Sequence, residues 1–108
     1  MFGAVGGGFV RLADYTDELA VAEGIETAMS FHKLFQVPTW AVLSTSGLRR
    51  FVPPAGLRRL IIAADRDDTG DGMKAAHELA DAAKSLCSVT ISAAPEGQDW
   101  NDALRRRA

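Results

Sequence analysis

Cysteine is almost absent from this 108-residue chain: Cys87 stands alone, which excludes an internal disulfide and any zinc site built on cysteine. Histidine is nearly as scarce. His32 and His77 both fall inside helical patterns with no partner at metal-ligand spacing, so both read as structural. No apolar run approaches the roughly 20 residues of a membrane span. The opening MFGAVGGGFV has neither a basic lead nor an extended apolar core, and the expectation is a cytoplasmic protein without a membrane partner. Excess positive charge is missing too. The formal net charge is −2, so no whole-molecule field draws a polyanion, and arginines cluster only at Arg49–Arg50, Arg58–Arg59 and Arg105–Arg107. Repeats and low-complexity linkers are also lacking. What remains, 47% hydrophobic and 24% charged residues, is the balance of one globular domain with a single core.

Strand and helix patterns alternate along that domain. Residues 1–16, with Gly6–Gly8, read as an N-terminal extension or a hairpin with FVRL, and 17–108 as the domain proper. DELAVAE (17–23), TWAVLS (39–44), LRRLIIAA (57–64) and SVTISAA (88–94) read as strands. GIETAMSFHKLF (24–35), SGLRRF (46–51), GDGMKAAHELADAAKSL (70–86) and DWNDALRRR (99–107) read as helices or, for the second, a turn. In the third, Met73, Ala76, Ala80, Ala83 and Cys87 share one face. The alternation predicts an α/β fold: a Rossmann-like parallel four-stranded sheet with helices on both faces.

Chemistry concentrates at the ends of these strands. In RRLIIAADRDDTGDG (58–72), the apolar run Leu60–Ala64 stops at Asp65, Asp67, Asp68 and Asp71. A turn needs one Asp or Asn and a glycine, and acids this close repel unless a cation lies among them. Open parallel sheets form their sites at the C-terminal edge of the strands, near the topological switch point. Glu23 ends the strand 17–23, Asp65 and Asp67 end 57–64, and Asp99 follows 88–94. On extended backbone, Asp65 and Asp67 project to the same side. Oxygen-only donors suit a hard cation, Mg²⁺ or Mn²⁺, which in turn holds phosphate. One ion reaches Glu23 and Asp65 only if their strands are neighbours, so adjacency is predicted. Repulsion among empty carboxylates also predicts that amides at Asp65 and Asp67 raise metal-free stability.

VAEGIETAMS, then IIAADRDDTG, then EGQDWNDAL resemble the Toprim domain, with the nearest likeness to phage- and plasmid-type DNA primase/helicase proteins of mobile elements. The resemblance runs from about Glu18 onward and rests on Glu23–Gly24, on Asp65 and Asp67 with Gly70 behind them, and on the acidic patch from Pro95 to Asp102. It implies the Toprim fold, Mg²⁺ (or Mn²⁺) dependence, and nucleotidyl transfer on nucleic acid in DNA replication. It further implies that Asp65, Asp67 and Asp99 hold the metal and that Glu23 is the catalytic general base toward a 3′-hydroxyl, or a further ligand. Asp68, Asn101 and Asp102 become possible ligands or neighbours of the ligands; Asn101 stands where many relatives carry an acid. Arg66 and Lys74 become the phosphate-binding cations. Nucleic acid and nucleoside triphosphate are the implied partners, with further primase or helicase domains, since the chain has no zinc module or template-binding part. The alternatives are a small hydrolytic Toprim nuclease and a non-catalytic metal- or nucleotide-binding module of a larger assembly.

Three look-alikes fit less well. The Glu motif of EAL-type phosphodiesterases sits in a barrel too large for 108 residues. The Asp-x-Asp-x-Thr of haloacid-dehalogenase-type phosphatases opens its domain rather than closing it. The calcium-loop pattern starting at Asp65 has Ala76 at its twelfth position instead of Glu. Blander roles suit several neighbours: Glu26 complements a helix dipole, Trp100 anchors the last helix, and Ser44, Thr45 and Ser46 either meet phosphate or turn the chain.

Overall fold

The computed structural model describes residues 4–5, 9–11, 14–15, 17–65, 70–94 and 100–107. Four strands run parallel: β3 (Glu18–Ala22), β4 (Thr39–Ala41), β5 (Arg59–Ala64) and β6 (Ser88–Ala93). Two short strands, β1 (Ala4–Val5) and β2 (Phe9–Arg11), pair antiparallel with each other. The six form one sheet in the order β1-β2-β4-β3-β5-β6. The parallel four are those the alternation predicts. The sheet is wider than that, because β2 adds antiparallel to β4 through Val10↔Ala41 and Arg11↔Trp40 and covers an edge that would otherwise stay unpaired.

Four helices fill the connections: α1 (Ile25–Phe35), α2 (Thr45–Arg50), α3 (Asp71–Ala83) and α4 (Trp100–Arg107). The central strands β3 and β5 are continuous apolar runs because both their faces are covered. Strand alternation divides their side chains. Leu19, Val21, Leu60, Ile62 and Ala64 join Trp40 and Val42 on one face, under Leu48 of α2 and Ala75, Ala76, Leu79 and Ala83 of α3. Met73, Ala80 and Cys87 pack at the margin of this cluster. Burial raises the Cys87 thiol above its ordinary pKa, as befits a packing residue. On the opposite face Ala20, Ala22, Ala41 and Ala63 leave a shallow surface, which the large rings of Phe31 (α1) and Trp100 (α4) fill. An ion pair of 2.7 Å, Arg49 Nε to Glu78, joins α2 to α3 on its own side.

Two elements end three residues short of the sequence pattern. The strand expected over 39–44 ends at Ala41, because Leu43 turns into the left-handed region (φ 72°) and Ser44 begins to cap α2. The helix expected over 70–86 ends at Ala83. At its start, Gly70 takes φ 75°, a conformation open to glycine at little cost.

The order of the parallel strands locates the site. From β3 the chain moves through α1 to β4 on one side, then returns through α2 to β5 on the other. The winding reverses between β3 and β5, so their C-terminal ends flank the switch point. The predicted adjacency holds: Ala20↔Ile61 and Ala22↔Ala63 pair in parallel.

Candidate functional site

Glu23 follows β3 directly and Asp65 follows β5 directly, so both acids emerge at the switch point. They are held from opposite faces of the sheet. The Glu23 carboxylate accepts the Thr45 hydroxyl, Oγ1 to Oε1 at 3.1 Å, from the first residue of α2. The Asp65 carboxylate accepts two donors from the other face. The Thr27 hydroxyl of α1 lies 3.0 Å from Oδ2, and the Trp100 amide at the start of α4 lies 3.1 Å from Oδ1. An anion there also meets the positive end of the α4 dipole. Each acid is thus fixed by a helix that begins beyond a neighbouring strand. A carboxylate offers about four lone-pair positions, so the bond from Thr45 leaves Glu23 able to accept a cation.

The turn from β4 to α2 is tight. Ser44 caps α2 by accepting the Gly47 amide at 2.8 Å. A Cβ on Gly47 would lie 2.3 Å from the Val42 carbonyl oxygen, which belongs to backbone and cannot swing aside. Gly47→Ala is therefore expected to lower stability by about 1–3 kcal/mol, the usual cost of overpacking. A urea melt checks this, and an unchanged midpoint would mean that α2 shifts without cost.

A model of the Toprim domain matches residues 18–108. The chain belongs to the Toprim family. The fold of this Toprim domain is also similar to the crystal structure of a DNA primase domain from Pseudomonas aeruginosa, with a TM-score of 0.59 and 20% identity. That match covers 84% of the present chain and 30% of the primase chain, so the Toprim domain here spans under a third of that protein's length.

The donor chemistry of the Toprim domain fits a hard divalent cation. At the switch-point edge the described acids offer oxygen only. His32 is committed elsewhere, its Nδ1 lying 2.8 Å from the Val37 carbonyl past the end of α1, and His77 is exposed on α3. Cys87 precedes β6, at the opposite edge of the sheet. Among the described residues no group of three or more acids, histidines or cysteines is assembled. Arg66, Asp67, Asp68 and Asp99 lie outside the described residues, and Asn101 and Asp102 are placed only as part of the first turn of α4. Lys74, the fourth residue of α3, is exposed, and no ion pair among the described residues joins it to either acid. No described helix is long and apolar enough to cross a membrane.

Two threonines near the acids escape a reading of motifs. Thr45 shows only as one of several hydroxyls after β4. Thr27 gives a fainter signal: it shares the inward face of α1 with Ala28 and Phe31, and a buried hydroxyl there needs a partner. Trp100 is buried at the start of α4, as an anchor would be, with Phe31 and Phe35 edge-on to it. Tyr15 packs edge-on against Trp40, and its hydroxyl donates to the Ala55 carbonyl at 3.5 Å.

Proposed function

We propose that this Toprim domain serves a primase-like replication protein, binding Mg²⁺ or Mn²⁺ and handling the phosphates of nucleoside triphosphate and nucleic acid for nucleotidyl transfer. The observation that carries this reading is the placement of Glu23 and Asp65 on adjacent parallel strands at the switch point. The structural likeness to a primase domain supports it. In this reading Asp65, Asp67 and Asp99 hold the cation, which when bound supplies positive charge to offset phosphate oxygens. Asp68, Asn101 and Asp102 flank these ligands. Glu23 takes the proton of an incoming 3′-hydroxyl or serves as a further ligand of the cation, and Arg66 and Lys74 face the triphosphate. Residues 17–108 form the catalytic unit, and 1–16 are an appended segment. Template binding falls to partner domains, since a net charge of −2 attracts no polyanion by net field alone and leaves only local cations and the bound ion to hold phosphate.

The test is a nucleotide titration with Mn²⁺ and with EDTA, beside a primer-synthesis assay, on wild type and Glu23→Gln. Weak metal-dependent binding, with little synthesis in the absence of partners, is the expected outcome. Tight binding that persists in EDTA would assign the phosphates to a cationic site and overturn the role of the acids. Metal-dependent cleavage of nucleic acid would place the domain among nucleases instead, and saturable binding without turnover, even beside partner domains, among non-catalytic modules.

A further inference from the structure

The β4–α2 turn is built at a cost that its own elements do not explain. Past the end of β4, the Val42 amide donates to the Ala22 carbonyl at 2.8 Å and the Leu43 amide to the Glu23 carbonyl at 2.6 Å. Leu43 then takes φ 72°, a region that a bulky residue other than glycine rarely enters. The strain is not offset by burial, for Leu43 remains 45% exposed. Gly47 leaves out the side chain that would collide with the Val42 carbonyl, so α2 settles directly onto the end of β4. Cap chemistry does not require the Thr45 hydroxyl, because Ser44 already accepts the Gly47 amide. Besides seating Leu48 in the core, the strained residue, the cap and the missing side chain together bring Thr45 Oγ1 to 3.1 Å from Glu23 Oε1. Strain of this kind tends to sit where function requires a fixed geometry.

We propose that Thr45 is a positioning residue: its hydroxyl fixes the Glu23 carboxylate in the orientation that serves the metal and phosphate site. This rests on the reading of Glu23 as a further ligand of the cation at that site. A hydroxyl donated to one carboxylate oxygen restricts rotation of the group and leaves the other oxygen to face cation or substrate. Partners of this kind typically set metal affinity by 10- to 100-fold.

The experiment measures Mn²⁺ binding to the whole chain by calorimetry, with melting of the metal-free protein alongside. The variants are Glu23→Gln, Thr45→Val, Thr45→Ser and the double substitution of Glu23→Gln with Thr45→Val. Thr45→Val keeps the shape and removes the donor, and it is expected to weaken Mn²⁺ about tenfold, the low end for such partners. Thr45→Ser restores the donor and is expected to bind as the wild type does. The double variant is expected to bind no more weakly than Glu23→Gln alone, since the hydroxyl acts only through that carboxylate. Weak binding by Glu23→Gln with wild-type binding by Thr45→Val would overturn the positioning role and leave Glu23 in place. Wild-type binding by Glu23→Gln would overturn the reading of Glu23 and this proposal with it. Equal loss in Thr45→Val and Thr45→Ser, or an added loss in the double variant, would make Thr45 a packing residue of the turn.

Discussion

Asp65→Asn is expected to lower the stability of the metal-free chain by about 1–3 kcal/mol and to abolish the stabilisation expected from Mn²⁺ in the wild type. The sequence alone suggests the opposite sign for the first effect, since an amide relieves repulsion among Asp65, Asp67 and Asp68. The hydrogen bonds decide otherwise. Asp65 accepts the Thr27 hydroxyl on one oxygen and the Trp100 amide on the other. A carboxamide has only one oxygen, so when that oxygen keeps the Trp100 amide its NH₂ group meets the Thr27 hydroxyl, which can accept it but loses the acceptor for its own proton. Thr27 is only 8% exposed, and little water is at hand to replace the lost acceptor. Leaving such a group unpaired costs about 1–3 kcal/mol, whereas repulsion between charges 4 Å apart in a watery surround is about 1 kcal/mol. Thermal melts in EDTA and in millimolar Mn²⁺ measure both effects. Each kcal/mol corresponds to a shift of about 4–8 °C for a domain near this size. A metal-free variant that melts at or above the wild-type temperature would show that repulsion dominates. A Mn²⁺ gain surviving in the variant would remove Asp65 from the ligand set.

The sequence discloses most where a single physical cause acts locally. Leu60–Ala64 and Leu19–Ala22 announce buried parallel strands because unbroken apolar runs this short have the length of a strand covered on both faces rather than that of a helix. Acids placed directly after two such runs point to the edge of the sheet proposed as the site. What stays hidden depends on contacts between distant segments. Nothing in Phe9–Arg11 names β4 as its partner, since an unpaired strand edge accepts many neighbours. The early end of β4 is hidden for a different reason: Leu43 has neither the missing side chain nor the short polar one that usually signals a left-handed residue. Thr27 and Thr45 could equally have bonded to nearby backbone, so their bonds to Asp65 and Glu23 emerge only from the packing of α1 and α2.

Trp100→Ala is expected to be the most damaging single substitution away from the acids, costing about 3–5 kcal/mol as large-to-small changes of buried aromatic residues do. Trp100 is 7% exposed and stands edge-on to Phe31, with ring centres 5.2 Å apart, and to Phe35, at 5.4 Å. With Phe31 it fills the shallow face left by Ala20, Ala22, Ala41 and Ala63, so its loss uncovers small side chains on the sheet. The eight residues of α4 are too few to hold a helix in water without such an anchor. Its loss therefore reaches the site as well, because the Trp100 amide that meets Asp65 belongs to the first turn of α4. Mn²⁺ affinity is expected to fall along with stability. Trp100→Phe separates ring from indole nitrogen. Among the described residues the buried Nε1 has no hydrogen-bond partner, so exchanging indole for phenyl removes an unsatisfied donor as well as some contact area. That variant is expected to cost clearly less than Trp100→Ala, since phenyl keeps a ring against Phe31 and Phe35, and to keep Mn²⁺ binding. Urea denaturation followed by Trp40 fluorescence reads both variants on one scale. A Trp100→Ala midpoint close to that of the wild type would show that α4 docks without its ring. A Trp100→Phe loss as large as that of Trp100→Ala would instead show that the indole nitrogen has an acceptor in the folded protein, and that the bond it makes there helps to hold α4 against Asp65.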